Sequence, residues 1–62
     1  MEWAIDYKFK SGEIRTLEGL CSLAFAYQKS QELKWKYEKD LIRLEIKSYS
    51  DHGYLKECIQ IL

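Results

Sequence analysis

The chain has 62 residues, with ten basic side chains balanced by ten acidic ones. That length allows one domain, which buries only about 60% of its unfolded surface and leans on a disulfide, a metal or a partner for robustness. The charge balance removes any compositional case for a polyanion binder. The longest uncharged stretch, residues 19–28, falls short of the roughly 20 apolar residues that span a bilayer.

At the start of the chain Trp3, Ile5, Tyr7 and Phe9 alternate with Ala4, Asp6 and Lys8. This period of two predicts a half-buried strand over residues 2–9. Residues 10–13, Lys-Ser-Gly-Glu, supply a turn in which Gly12 accepts positive φ cheaply, with Lys10 opposite Glu13 and Phe9 opposite Ile14. A short second strand over residues 13–17 completes the hairpin. Glu2 and Asp6 stand where a secretory signal would carry lysines, and no unbroken apolar core follows, which points to a cytoplasmic protein. In that compartment Cys21 and Cys58 are expected as buried, reduced thiols.

From residue 17 to 29 the apolar side chains fall at Leu17, Leu20, Cys21, Ala24 and Tyr27, widened by Leu23, Phe25 and Ala26. This spacing predicts a helix with Thr16 as N-cap and Glu18 in its first turn. Gly19 is the unfavourable residue in it.

Residues 32–47 alternate again. Leu33, Trp35 and Tyr37 are followed by Ile42, Leu44 and Ile46. Folding about Lys39 and Asp40 pairs Tyr37 with Ile42, Trp35 with Leu44 and Leu33 with Ile46, putting six apolar side chains on one face of a second hairpin. The rival reading is a single helix, favoured by composition and by the Glu32 to Lys36 spacing. Such a helix would carry apolar stripes on opposite sides and would need cover all round.

Residues 47–53 are rich in turn formers. Residues 54–62 read as a short amphipathic helix, or as a strand entered through an Asp51-His52-Gly53 hairpin loop. The sum is a single α+β domain, ββαββ, whose antiparallel sheet is covered by one helix, with a short C-terminal helix or strand.

Chemistry-bearing patterns are sparse. His52 lies beside Asp51 with Ser48 and Ser50 near, but sequence adjacency does not make a triad, whose members come from separate elements. Cys21, His52 and Cys58 lack metal-ligand spacing. Gly12, Gly19 and Gly53 are isolated and make no phosphate loop. No enzyme activity and no cofactor is expected.

Two surfaces remain. Nine aromatic residues exceed what a one-helix, one-sheet core encloses, and exposed Tyr and Trp suit protein interfaces. Trp3, Phe25, Tyr27, Tyr49 and Tyr54 are the candidates. They imply a small non-enzymatic regulator, an inhibitor, adaptor or regulatory subunit that binds another protein and self-associates. The alternative is a nucleic-acid-binding regulator using Lys34, Lys36, Lys39, Arg43 and Lys47, interleaved with Trp35 and Tyr37. On a strand those aromatics face away from Lys34 and Lys36, which weakens that alternative.

Overall fold

The computed structural model describes residues 2–62. In chain order it contains β1 (Glu2–Phe9), β2 (Ile14–Leu20), α1 (Leu23–Lys36), β3 (Leu41–Tyr49) and β4 (Leu55–Gln60). The strands form one antiparallel sheet in the order β2-β1-β3-β4, with α1 inserted between β2 and β3. The α+β, ββαββ plan is therefore the observed one. Its fourth strand is the terminal segment, and the helix reading of residues 54–62 is replaced by the strand reading.

β1 behaves as its alternation predicts and pairs on both sides. Trp3 and Ile5 point to one face, where they meet Leu20, Ala26, Leu44 and Ile46 in the core. Tyr7, Leu17, Leu33, Ile59 and Ile61 pack around this cluster. Ile5, Leu44 and Ile46 are wholly removed from water, and each such side chain contributes roughly 1.5–3 kcal/mol. The first turn differs by one residue from the expected register. Phe9 N donates to Glu13 O at 2.9 Å, Lys8 faces Ile14, and Gly12 takes a φ of 96°. A three-residue loop with glycine in positive φ replaces the two-residue turn.

The predicted helix over residues 17–29 begins six residues later. Between Trp3 and Ile5 the register on β2 steps from Leu20 to Leu17, so β2 carries an extra residue, and Gly19 adopts a φ of 76° there. This bulge turns both Leu17 and Leu20 inward. A strand with a bulge thus imitates the three-residue spacing of a helix. The cap is Ser22, whose Oγ accepts from Phe25 N at 3.1 Å. Thr16 instead donates to Asp6 Oδ1 at 2.7 Å across the sheet.

Residues 32–47 do not form a hairpin. The helix runs on through Lys36, and Tyr37 closes it, its carbonyl accepting from both Asp40 N and Leu41 N at 2.9 and 3.0 Å. Lys34 and Lys36 in the last turn suit the negative end of the helix dipole. A helix here needs cover only along Ala26, Ser30 and Leu33, and it leaves Trp35 in water, 83% exposed. A second bulge sits in β3. Lys8 faces Arg43 while Phe9 faces Leu41, so Ile42 is the extra residue and stays half exposed. Leu41 and Leu44 both turn inward around it.

β3 and β4 are joined by a tight loop in which Gly53 N donates to Ser50 O at 2.9 Å and Ser50 N to Tyr54 O at 2.8 Å. Gly53 takes a φ of 84°, as the three-residue loop Asp51-His52-Gly53 requires. Both cysteines are free and exposed, not buried. The small core is already filled by Ile, Leu, Ala and Trp, and neither thiol lies on its face.

Candidate functional site

The sheet has one covered face and one open face. α1 lies on the covered side, closest to β3, then β1 and β2, and comes nowhere within 8 Å (Cα to Cα) of β4. On the open face Asp6, Glu45, Lys47 and Cys58 stand on adjacent strands. Lys47 Nζ bridges to Asp6 Oδ2 at 2.7 Å, and Arg43 Nε to Glu45 Oε1 at 3.0 Å. Burial alone would raise the Asp6 carboxyl, but the hydrogen bonds from Lys47 and Thr16 outweigh it and hold the group below its usual range. The Lys47 ammonium is correspondingly raised by its bond to Asp6.

Cys58 Sγ donates to Glu45 Oε2 at 3.0 Å, and that bond, together with desolvation, pushes the thiol up. It is therefore held as the protonated, weakly nucleophilic form. Near His52, Ser50 Oγ accepts from Tyr54 N at 3.2 Å, while Ser48 is fully buried on the core side of β3. These positions describe a loop cap and a core residue. Among the described residues no group of three or more His, Cys, Asp or Glu side chains is placed to hold a metal ion. No helix among them is long and apolar enough to cross a membrane.

The candidate aromatic residues separate into different places. Trp3 is only 8% exposed and belongs to the core, opposite Leu20 on one side and Ser48 on the other. Its alternation with Ala4 already marked it as inward, and the exposure expected from aromatic excess does not apply to it. Phe25 borders a groove of about 490 Å³ between α1 and β2, lined also by Leu17, Gly19, Lys29 and Leu33. Lys29 Nζ sits 5.5 Å from its ring centre. Tyr27, two residues on and so about 200° around the helix, occupies the opposite flank and is exposed. Tyr49 ends β3 beside Glu2, Ala4 and Glu18. Tyr54, exposed, enters β4.

The basic set also divides. Arg43 and Lys47 lie on the open face in ion pairs. Lys34 and Lys36 belong to the last turn of α1, on the other side of the sheet, and Lys39 to the turn after it. No ion pair involves these three lysines among the described residues. What the strand reading missed is Trp35. On α1 it continues a stripe with Ala24, Gln28 and Gln31, spaced four, three and four residues apart, all exposed and all uncharged. Reading residues 23–36 as one helix would have shown that stripe pointing away from Ala26 and Ser30.

A third cluster is structural. Tyr7, Phe9 and Tyr37 pack edge-to-face and stacked, with centroids 5.0 to 6.4 Å apart, and Arg15 covers Phe9 at 5.0 Å. Arg15 is itself paired with Glu13. Comparison with protein-family models, curated proteins and solved structures finds no match for this chain.

Proposed function

We propose that this chain acts by binding another protein through the outward face of α1, as an inhibitor, adaptor or regulatory subunit with no catalysis of its own. The observation that carries this reading is Trp35, 83% exposed on an uncharged stripe of a folded helix. An indole left in water contributes little to folding, yet Trp is among the residues that most often anchor interfaces. Phe25 and Tyr27 flank the stripe and widen the surface a partner helix or groove would cover. The test is to capture a partner from the cell that makes the protein and to measure its affinity for the wild type and for Trp35→Ala. The reading expects at least a tenfold loss of affinity with a stability change of no more than about 0.5 kcal/mol. A partner indifferent to Trp35, Phe25 and Tyr27, or none at all, would overturn it.

One observation favours a second reading. Trp35 sits between Lys34 and Lys36, with Lys39 following, and none of the three lysines is ion-paired among the described residues. An exposed ring beside ammonium groups without ion pairs, of which Lys36 lies over the Tyr37 ring at 5.2 Å, suits stacking on a single-stranded base with phosphate contact. Glu38 and Asp40 close by reduce the local positive charge, which puts this reading second. It expects quenching of Trp35 by single-stranded DNA or RNA that weakens steeply with salt and is lost in Lys34→Glu/Lys36→Glu. A flat salt response would exclude it.

A further inference from the structure

We infer that one end of the molecule, built by the β1–β2 turn, the last turn of α1 and the α1–β3 turn, docks against an anionic lipid surface. The inference goes beyond the function proposed above and shares only Trp35 with the protein-binding face.

The fold sorts charge in a way that composition conceals. Ten basic and ten acidic side chains balance over the chain, yet they are not mixed in space. Lys8 faces Arg43 on β3, Tyr7 faces Arg15 on β2, and Lys10 N donates to Asp40 O at 2.7 Å, which ties the β1–β2 turn to the α1–β3 turn. α1 runs toward this same end and finishes with Lys34 and Lys36. With Lys10 and Lys39 in the two turns, seven of the ten basic side chains gather here against three acidic ones, Glu13, Glu38 and Asp40. The rest of the molecule holds the reverse. Glu2, Glu18, Asp51 and Glu57 are among its seven acids, and Lys29, Lys47 and Lys56 are its three bases. A chain with no net charge is thus a dipole, and its field attracts a polyanion to one end only.

Most of that positive charge is unengaged. Arg15 and Arg43 are paired with Glu13 and Glu45. Among the described residues Lys8, Lys10, Lys34, Lys36 and Lys39 have no ion pair. Exposed apolar side chains stand among them. Ile14 lies opposite Lys8, Ile42 lies next to Arg43, and Trp35 borders a crevice of the α1–β3 turn with Lys36 and Lys39.

This combination selects the partner. The cations surround the tip, on the open face of the sheet, on the helix side and in both turns between, instead of following one groove. A nucleic-acid strand is tracked by cations in a row, whereas a layer of anionic headgroups meets cations on every side of a tip at once. The headgroup boundary also accepts indole and aliphatic side chains beside lysines, while a phosphate backbone offers Ile14 and Ile42 no apolar contact. Tyr54 and Leu55 are exposed at the opposite end, but there Asp51 and Glu57 repel such a surface. The molecule therefore stands end-on, with its acidic end in water.

The experiment sediments the whole chain with vesicles. Those of equal parts phosphatidylserine and phosphatidylcholine should carry the protein down, those of phosphatidylcholine alone should not, and added salt should weaken the binding. Trp35 emission should move to shorter wavelength on binding, while Trp3, in the core, contributes a constant signal. Lys10→Glu and Lys56→Glu change net charge equally at opposite ends. Lys10→Glu should lower partitioning about tenfold, and Lys56→Glu, beyond screening range, should leave it unchanged. Absence of binding to the anionic vesicles would overturn the inference, as would equal binding to both kinds or equal losses in the two variants. Release from the vesicles by a single-stranded oligonucleotide at matched phosphate would also overturn it and assign the basic end to nucleic acid. Tyr27→Ala should weaken the protein partner and leave vesicle binding intact, and Lys10→Glu should do the reverse, so failure of either proposal can be told from failure of the other.

Discussion

Removing the indole of Trp35 separates folding from function, and its size can be worked from exposure. At 83% exposed, Trp35 has about a sixth of its surface covered, or roughly 40 Å² of a side chain of about 250 Å². At about 25 cal/mol per Å² this is worth about 1 kcal/mol, and roughly half of it is returned because Ala is the better helix former. Trp35→Ala should therefore shift stability by no more than about 0.5 kcal/mol. Trp3→Ala should behave as a core truncation and cost about 3–5 kcal/mol, because Trp3 is only 8% exposed. Urea melts followed by circular dichroism measure both. Fluorescence adds an independent check, since the Trp35→Ala protein retains only Trp3 and should emit at short wavelength and resist iodide quenching. A loss above about 2 kcal/mol for Trp35→Ala, or readily quenched emission from Trp3, would refute the assignment of the two tryptophans and the helical stripe built on it.

Three further substitutions address the rest of the fold. Ser48 Oγ is buried with no hydrogen-bond partner, so Ser48→Ala should raise stability by about 1 kcal/mol, seen as a higher melting temperature. A drop would mean the hydroxyl is satisfied. Asp6 has a folded-state pKa below its unfolded value, so its contribution is complete above about pH 4 and disappears as pH falls through the folded value. Lys47 is raised, and its share persists below the usual lysine value and fades as alkaline pH passes the folded one. Asp6→Asn should thus destabilise by about 0.5–1 kcal/mol at neutral pH and converge with wild type in acid, measured by urea melts across pH. Gly19→Ala meets no atom within 4 Å of the added Cβ but must hold a φ of 76°, so it should cost about 1 kcal/mol of strain, seen as a lower urea midpoint with an unchanged slope.

What could be read from the residues alone follows from where the period holds. β1 has no extra residue within its alternating run from Ile5 to Phe9, and its strand, turn glycine and inward face were all legible. β2 and β3 each contain an inserted residue, at Gly19 and Ile42. Each bulge changes a period of two locally into a period of three. Leu17 and Leu20 then resembled a helix, and Ile42 resembled a core position although it is half exposed. The largest displacement, the hairpin expected over residues 32–47, came from assuming that Trp35 must be buried. Once the helix is allowed to leave one large ring in water, it continues through residues 32–36, with Glu32 paired to Lys29 and Leu33 joining Ala26 on the covered side. Phe25, Tyr27, Tyr49 and Tyr54 are exposed as their excess over core volume suggested. Their separation onto different faces depends on tertiary placement, which no local pattern encodes.

The distribution of burial sets where the fold opens. The sealed core draws on β1, β3, one residue of β2 and one of α1, while β4 contributes only the partly covered Ile59 and, just beyond it, Ile61. A 62-residue domain with a fourth strand so lightly anchored should open from that edge first. Hydrogen exchange followed by NMR should therefore show the Cys58 and Ile59 amides of β4 exchanging faster than the amides of Ile5 in β1 and Ile46 in β3, and slower exchange in β4 would refute this order.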